Sequence, residues 1–123
     1  MTATSIDPPD SELVAIAVSG TAPLRRLSAS GEIDSSSAPL FRHHLDALLD
    51  EGVHELVVDL CGVSFLDSAG LCVLAAAHRR ALAEDVRLRV LASSRAVIRP
   101  LQITGLWDLL GVERIESGAG SAA

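Results

Sequence analysis

Two hydrophobic periods alternate along the middle of this chain, and that alternation restricts the fold more than any other sequence feature. Residues 55–60 form a short, mostly apolar run that is typical of a buried strand. Apolar residues then recur at helical spacing from about 68 to 84, and residues 86–90 alternate between apolar side chains and Arg. Strand–helix–strand connections form right-handed crossovers between parallel strands. The pattern therefore predicts an α/β fold with a mostly parallel sheet.

The preceding residues predict an antiparallel pair of strands and then a helix. Residues 13–18 form a short apolar run, and residues 27–33 alternate between small or apolar and polar side chains. The turn residues 19–23 make a five-residue connection, which favours antiparallel pairing. Three serines at 35–37 are candidates for the N-cap of a following helix, with Pro39 in its first turn.

The C-terminal third predicts one more helix and a last strand. Residues 94–104 are expected to form a short helix that ends at Gly105. Pro100 either starts this helix or kinks it, because proline has no backbone N–H to donate. Residues 106–115 are expected to hold a last turn and a short edge strand. The complete prediction is a mixed, mostly parallel sheet of four to five strands with helices, in which the first two strands are antiparallel.

The length and composition suit one small domain with an aliphatic core. The chain has 123 residues, and its hydrophobic fraction is 49% although aromatic residues make up only 2%. Its core must therefore consist mainly of Leu, Val, Ile and Ala. Small polar residues and prolines at 1–11 predict a flexible N-terminal tail, and the Gly- and Ser-rich residues 117–123 predict a flexible C-terminal tail. The folded domain is expected to span 12–116.

Charge and hydropathy exclude several classes of function. The formal net charge is −6, and all ten basic residues are Arg, so direct binding to nucleic acid is not expected. Apolar runs are shorter than the roughly 20 residues that span a bilayer, and residues 1–11 lack the pattern of a secretory signal. A cytoplasmic protein without membrane contact is expected. Cys61 and Cys72 are predicted to be two reduced thiols in the core.

The segment 63–71, Val-Ser-Phe-Leu-Asp-Ser-Ala-Gly-Leu, is the most informative candidate site. It joins the end of a buried strand to the start of a helix, where open α/β sheets bind ligands and partners. Ser68 is expected at or beside the N-cap, where a phosphate on its oxygen would meet the free N–H groups of the helix, and Asp67 would repel that phosphate. The simplest interpretation is structural, with Ser68 acting only as a cap worth about 1 kcal/mol.

A second polar loop is expected beside the first. Residues 34–37 leave the second strand, and residues 65–70 leave the third, so both loops should project from one edge of the sheet. Together they predict an acidic, Ser-rich rim around a small apolar patch formed by Leu66, Ala69 and Leu71. Such a surface suits protein docking better than it suits a small molecule.

Catalytic motifs are incomplete in this chain. A nucleophile elbow needs Gly-x-Ser-x-Gly, but Leu66 occupies the first Gly position, and His78 is expected to lie two to three helical turns beyond Ser68. Adjacent His43 and His44 point about 100° apart on a helix and cannot readily share one metal ion. A phosphate loop of the Gly-x-x-x-x-Gly-Lys type is ruled out by the absence of Lys. The prediction is a protein that is not an enzyme and has no metal or cofactor.

Three segments resemble the STAS-domain family, and particularly the bacterial anti-sigma factor antagonists. They are Gly31-Glu32-Ile33-Asp34, the run from Val57 to Leu71 containing Asp67-Ser68-Ala69-Gly70-Leu71, and Ile103-Thr104-Gly105-Leu106. The likeness covers roughly residues 12–116, and the Asp-Ser-x-Gly-Leu loop is its most specific part. Ala69 stands where many relatives carry Ser or Thr, so the resemblance leaves Ser68 as the residue that would accept a phosphoryl group.

The resemblance implies a partner switch. An unphosphorylated antagonist of this family binds an anti-sigma factor that is also a serine kinase, and this binding releases a sigma factor. The kinase uses its own ATP and Mg²⁺ to phosphorylate the loop serine, here Ser68, and a phosphatase resets the system. The chain itself is expected to be a monomer or a weak dimer. The residues expected to contact the partner are Asp34, Ser35, Ser36, Leu66, Asp67, Ala69, Gly70 and Leu71.

Two other functions are compatible with parts of the sequence. A STAS domain that does not switch, as a subunit of a lipid-transport ATPase complex or of a stress-sensing scaffold, would not need a modified Ser68. A small hydrolase would use Ser68 as its nucleophile, and its activity would be lost in Ser68→Ala.

Overall fold

The computed structural model describes residues 13–116, and the tails predicted at 1–11 and 117–123 lie outside the described residues. Five strands form one sheet, in which each strand is hydrogen-bonded to the next along the chain. The first pair is antiparallel and the other three pairs are parallel, which confirms the predicted fold class. The strands are β1 (Val14–Thr21), β2 (Leu24–Ile33), β3 (Glu55–Leu66), β4 (Arg87–Ala92) and β5 (Glu113–Arg114).

Four helices complete the domain. They are α1 (Ala38–Asp50), α2 (Ser68–Ala83), α3 (Arg95–Thr104) and α4 (Leu106–Leu110). Pro39 lies in the first turn of α1 as predicted, because its missing N–H is not needed there. Pro100 lies inside α3, so the alternative in which it starts that helix is wrong. Gly105 ends α3 with a φ of 82°, a left-handed conformation that favours glycine.

The connection between β1 and β2 differs from its prediction. The five residues expected to form the turn include three that extend β1, so only Ala22 and Pro23 connect the strands. Thr21 pairs directly with Leu24. Backbone hydrogen bonds of a ladder do not depend on side-chain hydropathy, so polar Ser19 joins the strand although the apolar pattern ends at Val18.

β3 is longer than the expected strand, and this correction determines the geometry of the site. The sequence predicts a strand over 55–60 only, but residues 61–66 continue β3 and pair with β2. Two register shifts, at Ser28/Ser30 and Gly31/Glu32, adjust the pairing. A bulge absorbs an extra residue without ending a strand, so the periodicity breaks while the ladder continues. As a result, β2 and β3 end side by side, at Ile33 and Leu66.

The core is aliphatic, as the composition predicts. Phe41 is the only aromatic residue buried within 13–116, and it is surrounded by buried Leu, Val, Ile and Ala. The cysteines differ from the prediction, because Cys61 is half-buried and Cys72 is exposed. Both are free thiols. Within residues 13–116, no helix is long and apolar enough to cross a membrane.

An ion-pair cluster joins α1 to α2. The guanidinium of Arg80 lies 2.8 Å from the carboxylate of Glu84, the C-cap residue of α2, and contacts Asp46 and Asp50 on α1. Its side chain is 30% exposed, which is less than that of any of its three partners. The cluster fixes the two helices against each other beside the groove described below.

Candidate functional site

The two predicted loops lie side by side at the carboxyl end of the sheet. Ile33 and Leu66 are paired at the ends of β2 and β3, and the Asp67 N–H donates a hydrogen bond of 3.2 Å to the Ile33 carbonyl. The two segments therefore meet at one edge, but residues 65–70 are not a loop, because only Asp67 lies between the end of β3 and the start of α2. The hydrogen bond between Asp67 and Ile33 also determines how the chain enters α2.

Asp67, and not Ser68, is the side chain that caps α2. Its backbone is extended, with φ −110° and ψ −168°, and its Oδ1 accepts a hydrogen bond of 2.9 Å from the Ala69 N–H. Ser68 is the first residue of the helix, and its side chain is exposed. Within residues 13–116 the Ser68 hydroxyl makes no hydrogen bond. Ser68 therefore lies beside the N-cap, as expected, but the interpretation in which it acts only as the cap is wrong, and its hydroxyl is available for other chemistry.

Asp34 organises the neighbouring loop. Its Oδ1 accepts hydrogen bonds from the Ser36 hydroxyl at 2.7 Å, the Ser36 N–H at 2.8 Å and the Ser37 N–H at 3.2 Å. These bonds, above all the one from the Ser36 hydroxyl, hold the pKa of Asp34 below its ordinary value. The buried Ser37 hydroxyl accepts from the Asp34 N–H at 2.9 Å and donates to the Glu32 carbonyl at 2.8 Å. The loop thus presents a fixed, ionised carboxylate.

The apolar patch expected beside Ser68 is not exposed. Leu66 and Leu71 are only 4% and 8% exposed and belong to the core, and Gly70 is also buried. A Cβ added to Gly70 would lie 2.4 Å from Leu66 Cδ1 and 2.8 Å from Ile33 Cγ2. Local pattern cannot distinguish an apolar loop residue that faces the sheet from one that faces solvent. These three residues therefore support the loop from beneath, whereas Ala69 is half-buried.

Two surface features near Ser68 were not predicted. Phe65 is 46% exposed although it lies in β3. A groove of about 330 Å³ lies between α1 and α2. Its lining includes Ala38, Pro39, Arg42, Ala69, Cys72 and Ala76. Small apolar residues at 69, 72, 73 and 76 recur at helical spacing on α2, and this second stripe was the available signal.

The site has few groups that could assist a nucleophile. His78 is ten residues along α2 from Ser68, about 15 Å at 1.5 Å per residue. Across 13–116, no group of three or more His, Cys, Asp or Glu residues is arranged to hold a metal ion. Ser68 thus presents an exposed hydroxyl next to the capping carboxylate of Asp67.

Comparison with known families matches residues 15–120 to the STAS domain, which is most of the chain. The chain belongs to the STAS-domain family. The resemblance seen in its sequence motifs is thereby confirmed, and the fold of this STAS domain agrees with the match.

Relatives of this STAS domain are anti-sigma factor antagonists. An anti-sigma-B factor antagonist of Staphylococcus epidermidis is 33% identical over 86 residues, covering 70% of this chain and 80% of that protein. The antagonist of the same name from Bacillus subtilis is 32% identical over 93 residues, covering 76% and 84%. A crystal structure of an anti-sigma factor antagonist from Mycobacterium paratuberculosis superimposes with a TM-score of 0.78 at 32% identity, covering 95% of this chain and 97% of that one. The STAS domain described here is therefore similar to anti-sigma factor antagonists over most of its length.

Proposed function

We propose that this STAS domain is an anti-sigma factor antagonist that phosphorylation of Ser68 switches off. In its unphosphorylated form it binds an anti-sigma factor with serine kinase activity and so releases a sigma factor. The kinase brings the ATP and Mg²⁺, and a phosphatase restores the free hydroxyl. The protein acts in the cytoplasm, through binding and without catalysis of its own.

The position of the Ser68 hydroxyl is the observation that carries this proposal. It is exposed at the first residue of α2, beside the loop of Asp34, and makes no hydrogen bond within residues 13–116. Asp67 already caps the helix, so modification of Ser68 removes no contact that holds the fold. A kinase can therefore reach the hydroxyl without unfolding the domain.

Electrostatics explain how one phosphate would release the partner. A phosphoseryl group carries a charge of about −2 and would lie beside Asp67, near the ionised Asp34. In a docked complex this dianion would be buried without a cation, at a cost on the order of 3 kcal/mol or more. Because each 1.4 kcal/mol is tenfold in affinity, the complex would weaken by about 100-fold or more.

The partner surface in this proposal is smaller than the predicted one. Asp34, Ser35, Ser36, Asp67 and Ala69 provide its contacts, and the groove between α1 and α2 extends it. Buried Leu66, Gly70 and Leu71 act through the loop that they support. A polar rim beside an apolar groove is the usual anatomy of a protein interface.

Phosphorylation mapping tests the assignment of Ser68. The full chain is incubated with its kinase partner, ATP and Mg²⁺, and the product is mapped by mass spectrometry. One phosphoryl group on Ser68 is expected, and none in Ser68→Ala. A phosphate on another residue would refute the assignment.

A matched control uses the neighbouring serine of β3. Ser64 is also exposed, but its hydroxyl donates to the Gly31 carbonyl at 3.2 Å. Ser64→Ala is expected to be phosphorylated like the natural protein. Affinity for the anti-sigma factor, measured without its sigma factor, should be retained in Ser68→Ala and should fall about 100-fold in the phosphorylated protein. Equal binding by both forms would exclude the switch, and purification with a transport ATPase instead of a kinase would support the non-switching alternative.

A further inference from the structure

Most arginines of this acidic chain lie within ion-pair distance of a carboxylate. Seven of the ten form ion pairs with Asp or Glu, namely Arg25, Arg26, Arg42, Arg80, Arg87, Arg89 and Arg114. Among residues 13–116, the side chains of Arg79, Arg95 and Arg99 form no ion pair. Arg95 and Arg99 are only four residues apart, so two arginines without an ion pair lie close together in a chain whose acidic residues outnumber its basic residues by 16 to 10.

Arg95 and Arg99 line one cleft together with a third arginine. The cleft has a volume of about 180 Å³ and lies between α3 and β5, where its walls are Arg95, Ile98, Arg99, Gln102 and Arg114. The helical residues recur at three- and four-residue spacing, so they share one face of α3. Ile98 is buried beneath them.

The third arginine remains largely available. Arg114 forms its ion pair with Glu116 at 3.6 Å, and the two side chains are 60% and 74% exposed. Such a surface pair is weak because water screens it. The cleft therefore holds three guanidinium groups against one loosely held carboxylate.

This clustering is unfavourable in the absence of a ligand. Like charges four residues apart on a helix repel each other, and α3 carries no acidic residue to offset Arg95 and Arg99. An anion between the guanidinium groups would remove that repulsion. Guanidinium forks bind phosphoryl oxygens in a bidentate manner, and the Gln102 amide adds a further donor.

We propose that the cleft between α3 and β5 binds a single phosphoryl group. Three cationic side chains favour a dianion over a singly charged carboxylate. The volume of about 180 Å³ is below the roughly 300–1,000 Å³ of pockets for larger ligands, so one tetrahedral group fits and a whole nucleotide does not. The group comes either from free phosphate or from a phosphorylated side chain. This site is separate from Ser68 and does not depend on its phosphorylation.

Titration of the full chain with inorganic phosphate tests the site. Backbone ¹H–¹⁵N NMR spectra are recorded at constant ionic strength, with chloride replaced by phosphate. Saturable shifts are expected for the amides of α3 and for Arg114. Arg99→Gln is expected to weaken phosphate binding about tenfold, which corresponds to the loss of one charge-assisted hydrogen bond.

Arg79→Gln is the matched control. Arg79 is exposed, forms no ion pair within residues 13–116 and lies on α2, outside the cleft, so the variant changes net charge equally. It is expected to leave the phosphate affinity within about twofold of the natural protein, since screened distant charges contribute little. A second arm uses O-phosphoserine. Tighter binding than phosphate supports a phosphorylated side chain as the source, and equal binding supports free phosphate.

Three results would overturn the proposal. Shifts that do not saturate would show only general ion effects. An equal loss in Arg79→Gln and Arg99→Gln would assign the binding to net charge instead of the cleft. Acetate binding as tightly as phosphate would remove the case for a phosphoryl group. None of these results bears on the role of Ser68, so the two proposals fail separately.

Discussion

Removal of the Asp67 side chain should destabilise α2, because that side chain caps the helix. In Asp67→Ala the hydrogen bond of 2.9 Å from the Ala69 N–H is lost, and the first turn loses a favourable negative charge. Replacement of an N-cap by Ala costs about 1 kcal/mol, with a range of about 0.5–2. For a urea m-value of about 2 kcal/mol/M, the unfolding midpoint should fall by about 0.5 M.

Three variants measured together distinguish the contribution of the capping hydrogen bond from that of the charge on Asp67. They also show whether Asp67 or Ser68 caps the helix. Urea unfolding is followed by circular dichroism for Asp67→Ala, Asp67→Asn and Ser68→Ala. Asn keeps an acceptor oxygen, so Asp67→Asn should lose only the charge contribution, about 0.5 kcal/mol. Ser68→Ala should change stability by less than about 0.5 kcal/mol, because the Ser68 hydroxyl makes no hydrogen bond within residues 13–116. A loss in Ser68→Ala as large as that in Asp67→Ala would refute the assignment of the cap.

Four further outcomes follow from the structure. Gly70→Ala should destabilise by about 1 kcal/mol in urea unfolding, since overpacking against two buried methyl groups exceeds the gain in helix propensity; a more stable variant would contradict the packing. Arg80→Met should lower the thermal midpoint at low salt and much less at about 1 M salt, and a salt-independent loss would assign the effect to packing. Stability should fall as the pH drops below about 3.9, because the lowered pKa of Asp34 stabilises the fold only while the carboxylate is ionised; urea unfolding of Asp34→Asn should show a flatter acid limb, and an unchanged limb would exclude this contribution. Iodoacetamide should label the exposed Cys72 before Cys61, because burial raises the pKa of the Cys61 thiol. Peptide mapping follows the order of labelling, and faster labelling of Cys61 would contradict it.

The repeating parts of the fold were predictable because side-chain periodicity reports which face of an element is buried. Alternation at 27–33 predicted β2, and helical spacing predicted α2. The extension of β3 through Leu66 was not predictable, since two register shifts against β2 interrupt the period without ending the pairing of the two strands.

The candidate site was predictable in place but not in the role of each residue. Asp67 and Ser68 are adjacent, and both are favourable at a helix start, so propensity alone does not choose between them. The choice follows from the hydrogen bond of the Asp67 N–H to the Ile33 carbonyl, which holds Asp67 extended and starts the helix one residue later. Ile33 lies 34 residues earlier in the sequence, in another strand.

Residue types and their local spacing were enough to predict the α/β class, the antiparallel first pair and the Asp-Ser-x-Gly-Leu segment at a strand–helix junction. Those features depend on residue type and local spacing, which the chain carries in full. Three features were visible only in the folded domain: Leu66 and Leu71 face the core, Asp67 and not Ser68 caps α2, and Arg114 joins Arg95 and Arg99 at one cleft. Burial and charge clustering depend on contacts between distant segments, and local patterns do not encode those contacts.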